Sequence, residues 1–320
     1  MQSASNEPVI RELTRIAKVA EPAVVGLAAQ DISSGRSLSL NADEWFPMAS
    51  TYKLPIAIVA LDRVAKGELS LAEMVPVRPV DLRPGSDLAL ALQHPGASFS
   101  VANVIDLSIA ASDNAAADRV LALAGGPQNV TKHIRRLGIQ NMNVDRSTLQ
   151  VLLAFVGAEA MLEDERFSFR RYNELTNVSR EKHTAATLRA ADDPRDATTP
   201  SAMTELLRRL AQGQLLPRDQ TEFLMTSMIR ARGSSRIRGL LPPGIPRAAH
   251  KSGTLIEGHI LFVNDVGIIR LADGRRIALS VFIKKATASL ETCEQIIAHL
   301  ARAVYDYYAS AGPTDSANKM

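Results

Sequence analysis

The chain has 320 residues, 46% of them hydrophobic and 22% charged, with a formal net charge of +3. That composition suits a globular protein with room for a substantial core, at a length that points to about two domains. Basic residues are interspersed with acidic ones and aromatics make up only 4%, so the charged stripe and stacking platform of a nucleic-acid surface are missing, and no apolar run approaches the ~20 residues that span a bilayer.

A single cysteine, Cys293, excludes an internal disulfide, and its apolar helical surroundings mark it as a small buried hydrophobe. Six scattered histidines give no metal-ligand spacing, so neither a metal nor a cofactor is expected. The opening MQSASNEPVIREL lacks the apolar core of a signal peptide.

From Pro8 to Ala20, residues Ile10, Leu13 and Ile16 recur at helical spacing, ended by Glu21-Pro22. VVGLAAQDI and SLSLN flank a turn at Ser33-Ser34-Gly35-Arg36 and read as a β-hairpin. Between Leu54 and Arg232 nearly every segment reads helical, punctuated by Gly67, Gly125-Gly126 and Gly138. LFVNDVGIIRL and RRIALSVFIKK flank Ala272-Asp273-Gly274, a second hairpin. Ile296, Leu300, Val304 and Tyr307 then share one face of a last helix, and the tail GPTDSANKM reads as disordered.

Strands at both ends and helices in the middle define an α+β class. An antiparallel sheet is built from both termini and flanked by helices, and an all-helical domain is inserted into it. The expected boundaries are 1–48 with 217–320 for the sheet domain and 49–216 for the helical one.

Three short motifs occur in order: Ser50-Thr51-Tyr52-Lys53, Ser112-Asp113-Asn114 and Lys251-Ser252-Gly253-Thr254. Singly, each has an ordinary structural reading: a polar helix start, a helix cap, a loop entering a strand. Together they describe a chemical site. Ser50 opens LPIAIVALDRVAKG, a helix apolar on nearly all faces and so buried. Positions three apart share a helix face, so the Lys53 amine reaches toward the Ser50 hydroxyl. A buried lysine near another cation loses its proton readily and can act as a base. Lys251 supplies that second cation, on a strand whose edge can receive an extended substrate, and Ser112 fits a proton relay.

The three motifs are the signature set of class A β-lactamases and penicillin-binding proteins. Around them, FPMASTYKLPIAIVALDRVAKGEL, LSIAASDNAAADRVLALAGGPQNVTKHIRRLG, PRDATTPSAM and RIRGLLPPGIPRAAHKSGT are each similar to the corresponding class A segments. The chain therefore resembles the class A β-lactamase family over most of residues 8–310. The resemblance implies a serine hydrolase that opens β-lactams through an acyl-enzyme on Ser50, with the oxyanion between the backbone N–H groups of Ser50 and Thr254. It implies Lys53, Ser112 and Lys251 as the other catalytic groups and Asn114, Ser252 and Thr254 as substrate-binding ones. Arg238 either adds positive field or is a surface arginine. A D-Ala-D-Ala peptidase or esterase of the same acyl-serine type is an alternative, as is a β-lactam-binding protein acylated without turnover. The expected partner is a small β-lactam or a peptidoglycan-like molecule, the expected state a monomer, and the expected location periplasmic or secreted with the leader absent from this sequence.

One part departs from the family pattern. The omega loop of the family carries a water-activating glutamate shortly after an Asp-Arg pair; in Val144-Asp145-Arg146-Ser147-Thr148 that position holds Thr148. Arg146 is placed to pair with Asp196 across the base of the loop. Between them, over about 146–196, the chain is roughly 35 residues longer than the pattern, too long for a structureless loop. LQVLLAFVGAEAML, Leu149 to Leu162, reads as an apolar helix, and EDERFSFRRYNEL as a half-buried polar helix or a lid. Glu159, Glu163, Glu165, Glu174 and Glu181 lie in this stretch. Glu174, in Arg171-Tyr172-Asn173-Glu174-Leu175-Thr176-Asn177, sits in a faint echo of the family's Arg-Trp-Glu-x-x-Leu-Asn and is the candidate for a relocated deacylation base.

Overall fold

The structure, a computed structural model, describes residues 6–92, 94, 96–159, 166–233 and 235–312. The tail beyond Gly312 and the glutamates Glu163 and Glu165 lie outside these residues.

Helix α1 (Glu7–Ala17) starts with Pro8 in its first turn and buries Leu13 and Ile16. Strands β1 (Val24–Asp31) and β2 (Ser37–Leu40) form the first hairpin. The short strand β3 (Phe46–Pro47) leads into α2 (Lys53–Ala65), followed by β4 (Met74–Val77), α3 (Asp87–Ala91), β5 (Ala97–Ser100) and α4 (Val101–Asp106). Then come α5 (Asn114–Leu123), α6 (Pro127–Arg136), α7 (Thr148–Val156), α8 (Phe169–Thr176) and α9 (Arg180–Ala190). Strand β6 (Ala197–Thr198) precedes α10 (Pro200–Ala211) and α11 (Arg218–Arg230), and the chain ends with β7 (Ala249–Glu257), β8 (Ile260–Arg270), β9 (Arg276–Ala286) and α12 (Leu290–Ser310).

The main sheet runs β2-β1-β9-β8-β7, with every neighbouring pair antiparallel. The N-terminal hairpin thus joins the C-terminal meander through β1 and β9, the architecture expected from strands at both ends. Both faces of the central strands are covered, which is why β8 reads as an apolar run apart from Asn264, Asp265 and the exposed Arg270 at its end. On one face, Leu27, Val263, Leu279 and Val281 pack with α1 and α12, where Ile296, Leu300, Val304 and the buried Cys293 lie. On the other, Val266, Ala278 and Phe282 meet the helical half around α2, whose residues Leu54 to Leu61 are all buried.

Two expectations need correction. The middle of the chain is not purely helical: β4 pairs with β5, and β3 reaches across to β6. These pairs are too short to impose a period-two signal on the sequence. The apolar run from Leu149 also ends as a helix before its sequence pattern does. Gly157 adopts φ +80 and closes α7 with a left-handed residue that a glycine takes without steric cost. Residues 160–162 of that run lie outside the described residues.

The long segment between Arg146 and Asp196 is not structureless. A capping box, with Ser147 and Gln150 each bonding the other's backbone, starts α7. Phe155 meets Phe262 edge-on at 5.1 Å, and Thr187 of α9 donates to the Phe155 carbonyl, seating α7 and α9 over the end of β7 and β8. His183 and Glu257, 2.8 Å apart, tie α9 to the end of β7.

Candidate active site

Ser50 occupies a 3₁₀ turn, Ala49–Tyr52, from which α2 continues at Lys53. In a 3₁₀ turn positions three apart eclipse one another, so the serine and lysine side chains share one side of the chain. The turn is anchored from outside. Asn264 on β8 donates to the carbonyls of Pro47 and Met48, each at 2.9 Å, and the Thr51 hydroxyl donates to the Met48 carbonyl. β7 then passes directly against it: a Cβ on Gly253 would lie 2.8 Å from the Met48 oxygen and 3.0 Å from the Ser50 nitrogen. Glycine in the Lys-Ser-Gly-Thr motif is therefore a requirement of backbone contact.

Ser112 closes an irregular turn after α4 with φ +61, a left-handed conformation that is uncommon outside glycine. Asp113 follows as the N-cap of α5, accepting from Ala116 N at 2.8 Å; its other oxygen accepts from the Ser86 hydroxyl and Leu88 N. The middle residue of Ser-Asp-Asn is thus the one that holds the neighbouring α3 segment in place. Asn114 donates to the Pro84 carbonyl and presents its amide oxygen to Lys53.

The two lysines meet over Ser112. Lys53 Nζ donates to the Ser112 carbonyl at 2.6 Å and to Asn114 Oδ1 at 2.7 Å, and lies 3.4 Å from Ser112 Oγ. Lys251 Nζ donates to the same Ser112 Oγ at 2.8 Å and to the Ser252 carbonyl. Both side chains are fully buried. Burial holds the Lys53 amine down to about 8, against the opposing pull of Asp113 and Asp118. Burial, and then the charge of Lys53, holds Lys251 well below the usual lysine range. Lys53, Ser112, Asn114 and Lys251 thus converge, Ser50 shares a cavity with Asn114, and the Ser50 hydroxyl has no hydrogen-bond partner among the described residues.

Ser252 and Thr254 lie in the β7 stretch that carries Lys251. Thr254 lines a cavity of about 80 Å³ with Ser50, Tyr52, Asn114, Thr148 and Asp196. Arg236 underlies this edge, donating from Nη2 to Thr254 Oγ1 at 2.6 Å and from Nη1 to the Gly253 and Asn264 carbonyls, while Nε meets Glu294. Sequence reading passed over Arg236 and singled out Arg238. Arg238 instead donates to the carbonyls of Met228, Ile229, Ala231 and Ala248, pinning the end of α11 to β7; burial pushes its guanidinium down to about 10.

On the far side of the cavity, Arg146 Nε and Asp196 Oδ2 pair at 2.5 Å, closing the base of the long loop as expected. Thr148, next along, bonds through its hydroxyl to the Tyr52 phenol, and its N–H donates to Asp118 Oδ1. Glu174 is elsewhere: it is exposed on α8, pairs with Arg170 and Arg171 of its own helix, and is not among the residues lining the cavity.

A discontinuous antiparallel sheet, a serine turn leading into a buried lysine and a second lysine on the edge strand define an acyl-serine hydrolase of the penicillin-recognising class. The model of the beta-lactamase enzyme family matches residues 8–308, and the chain belongs to that family. It is a serine hydrolase of β-lactams. The extended-spectrum beta-lactamase PER-1 of Pseudomonas aeruginosa is 27% identical over 312 residues, covering 96% of this chain and 89% of the relative. A beta-lactamase from Chitinophaga pinensis superimposes with a TM-score of 0.77 at 25% identity, covering 94% of this chain and 99% of that one. The TLA-3 extended-spectrum beta-lactamase superimposes at 0.78 with 26% identity, covering 95% and 100%.

Proposed function

We propose that Ser50 is the residue acylated by the β-lactam and that Lys53, Ser112 and Lys251 move the protons. The observation that supports this most is the Ser112 hydroxyl within reach of both buried amines, 3.4 Å from Lys53 and 2.8 Å from Lys251. With its neutral form accessible near pH 8, Lys53 takes the Ser50 proton as Oγ attacks the lactam carbonyl. The tetrahedral oxygen is received by the backbone N–H groups of Ser50 and Thr254, worth roughly 3 kcal/mol each in such sites. As the C–N bond breaks, the proton passes from Lys53 through Ser112 to the leaving nitrogen. Lys251, Ser252 and Thr254 bind the substrate carboxylate, and Asn114 orients Lys53 and contacts the acyl-side amide. This reading carries a periplasmic or secreted location, where β-lactams are met.

Intact-protein mass after exposure to a penicillin tests the assignment. Wild type gains the mass of the opened lactam and Ser50→Ala does not; an adduct that persists in Ser50→Ala removes Ser50 from the role.

A further inference from the structure

The β7 edge assigned to the substrate carboxylate overlies a buried pair that the chemistry above leaves unused. Asp265 of β8 stands directly across from Ser252 in the β7–β8 register, so the two side chains share one face of the sheet. His250 and Thr254, two positions to either side of Ser252, fall on that face as well. His250 Nδ1 lies 2.8 and 2.9 Å from the Asp265 oxygens, and both side chains are fully buried. Burial alone would raise the Asp265 carboxyl, but the His250 ring, then Arg236 and the Ile237 N–H, hold it below the usual range. An ionised carboxylate only accepts, so the hydrogen of this contact sits on Nδ1. The other ring nitrogen, Nε2, is buried with no hydrogen-bond partner among the described residues. A proton can arrive at Nε2 or leave it without breaking any bond, and the net charge of the pair then moves between zero and minus one. The remaining charges nearby are held elsewhere. Arg236 is joined to Glu294 of α12 and to Thr254, Arg238 and Arg247 donate to backbone carbonyls, and Lys251 points to the opposite face, toward Ser112. Cys293 of α12 keeps its proton, its thiol pushed up by burial.

We propose that the His250–Asp265 pair sets the affinity for anionic substrates. With His250 protonated the pair is neutral and the Ser252–Thr254 edge takes a carboxylate; with His250 neutral, the charge left on Asp265 opposes it. The proposal rests on Ser252 and Thr254 binding the substrate carboxylate. His250 and Asp265 are positioning residues, since both lie beneath the edge and neither touches the substrate. Imidazole is the side chain whose charge ordinarily changes between about pH 5 and 8, so the concentration of an anionic β-lactam that half-saturates acylation rises with pH across that range. An uncharged ester of the same lactam does not feel that field, and its binding is indifferent to the pair.

The test is stopped-flow acylation by a chromogenic cephalosporin and by its methyl ester at pH 5.5 and pH 8. Wild type is compared with His250→Asn and with the double variant His250→Asn, Asp265→Asn. The single variant keeps a donor for Asp265 but has no proton to gain, and the double variant strands no charge. For the acid, wild-type half-saturation should rise about tenfold from pH 5.5 to pH 8, a modest figure for one unit charge behind the site. His250→Asn should show the high value at both pH values, and the double variant the low value at both. Limiting acylation rates should match wild type at each pH, and the ester should not distinguish the three proteins. A double variant that still weakens at pH 8 assigns the rise to Lys251 and overturns the proposal. His250→Asn binding like wild type at pH 5.5 overturns it too, and if that variant does not fold the double variant decides alone. Acid and ester binding equally well to wild type at pH 5.5 overturns the carboxylate-edge reading along with the proposal.

Discussion

The Lys251 amine donates to Ser112 Oγ at 2.8 Å, and this bond joins the edge strand of the sheet to the helical half of the molecule across the site. Ser112 carries it from a left-handed backbone position, φ +61. Glycine accepts that conformation at no steric cost, so Ser112→Gly removes the hydroxyl while keeping the turn. We expect acylation to slow by roughly 10²–10³-fold, the usual worth of a positioned proton relay, with the thermal midpoint nearly unchanged. Pre-steady-state acylation rates beside a melting curve check both halves.

Burial makes Lys53 a cost to the fold at neutral pH. Its folded value of about 8 lies below the ordinary 10.5, so between those values the unfolded chain holds a proton that the folded chain has released. Stability from this group therefore rises with pH across that window and is lowest below pH 8. A difference of this size corresponds to roughly 3 kcal/mol. Lys53→Met, which fills similar space without charge, should be more stable than wild type at pH 7 and lose most of that advantage by pH 10.5. Urea midpoints of the two proteins at several pH values measure it; a gap that stays constant with pH would show that Lys53 is not desolvated as described.

The Arg146–Asp196 pair is buried on both sides, and burial raises the Asp196 carboxyl even with Arg146 beside it. Removing one charge strands the other. Asp196→Asn is expected to cost roughly 3–5 kcal/mol and to loosen the segment from Arg146 to Asp196 first. Hydrogen exchange should show faster labelling there than in α2 or β8.

Ser50, Lys53 and Lys251 could be singled out in the sequence because the first two open a helix and the third rides a strand, whereas Ser112 sits in an irregular turn that only its motif marks. The spacing of Ser50 and Lys53 survives in a 3₁₀ turn, and Lys251 rides a strand whose register is set by β8. Hidden from the sequence were relationships that depend on backbone approach or on side chains crossing the fold. Gly253 reads only as part of a loop entering a strand until β7 is seen pressed against Ser50 N. Arg236 and Arg238 are indistinguishable as letters two positions apart; only the fold turns one toward Thr254 and the other toward the end of α11. The long loop misled in another way. Its faint local pattern pointed to Glu174, which faces solvent on α8, while the residue beside the cavity is Thr148, whose partner Tyr52 lies in the nucleophile's own turn.

Thr148 offers the sharpest gain-of-function prediction. Its side chain lines the cavity beside Ser50, its N–H is fixed by Asp118, and it stands where the sequence resemblance places a water-activating glutamate. Thr148→Glu puts a carboxylate within the same small space, near the Arg146 guanidinium that also lines it. If the cavity holds the attacking water, the new base should speed deacylation by at least tenfold at pH 6. Acylation should change far less, because Ser50, Lys53 and Ser112 are untouched. Single-turnover adduct decay at pH 6 and pH 8.5 measures the gain; a variant with unaltered decay at both pH values would place the hydrolytic water outside this cavity.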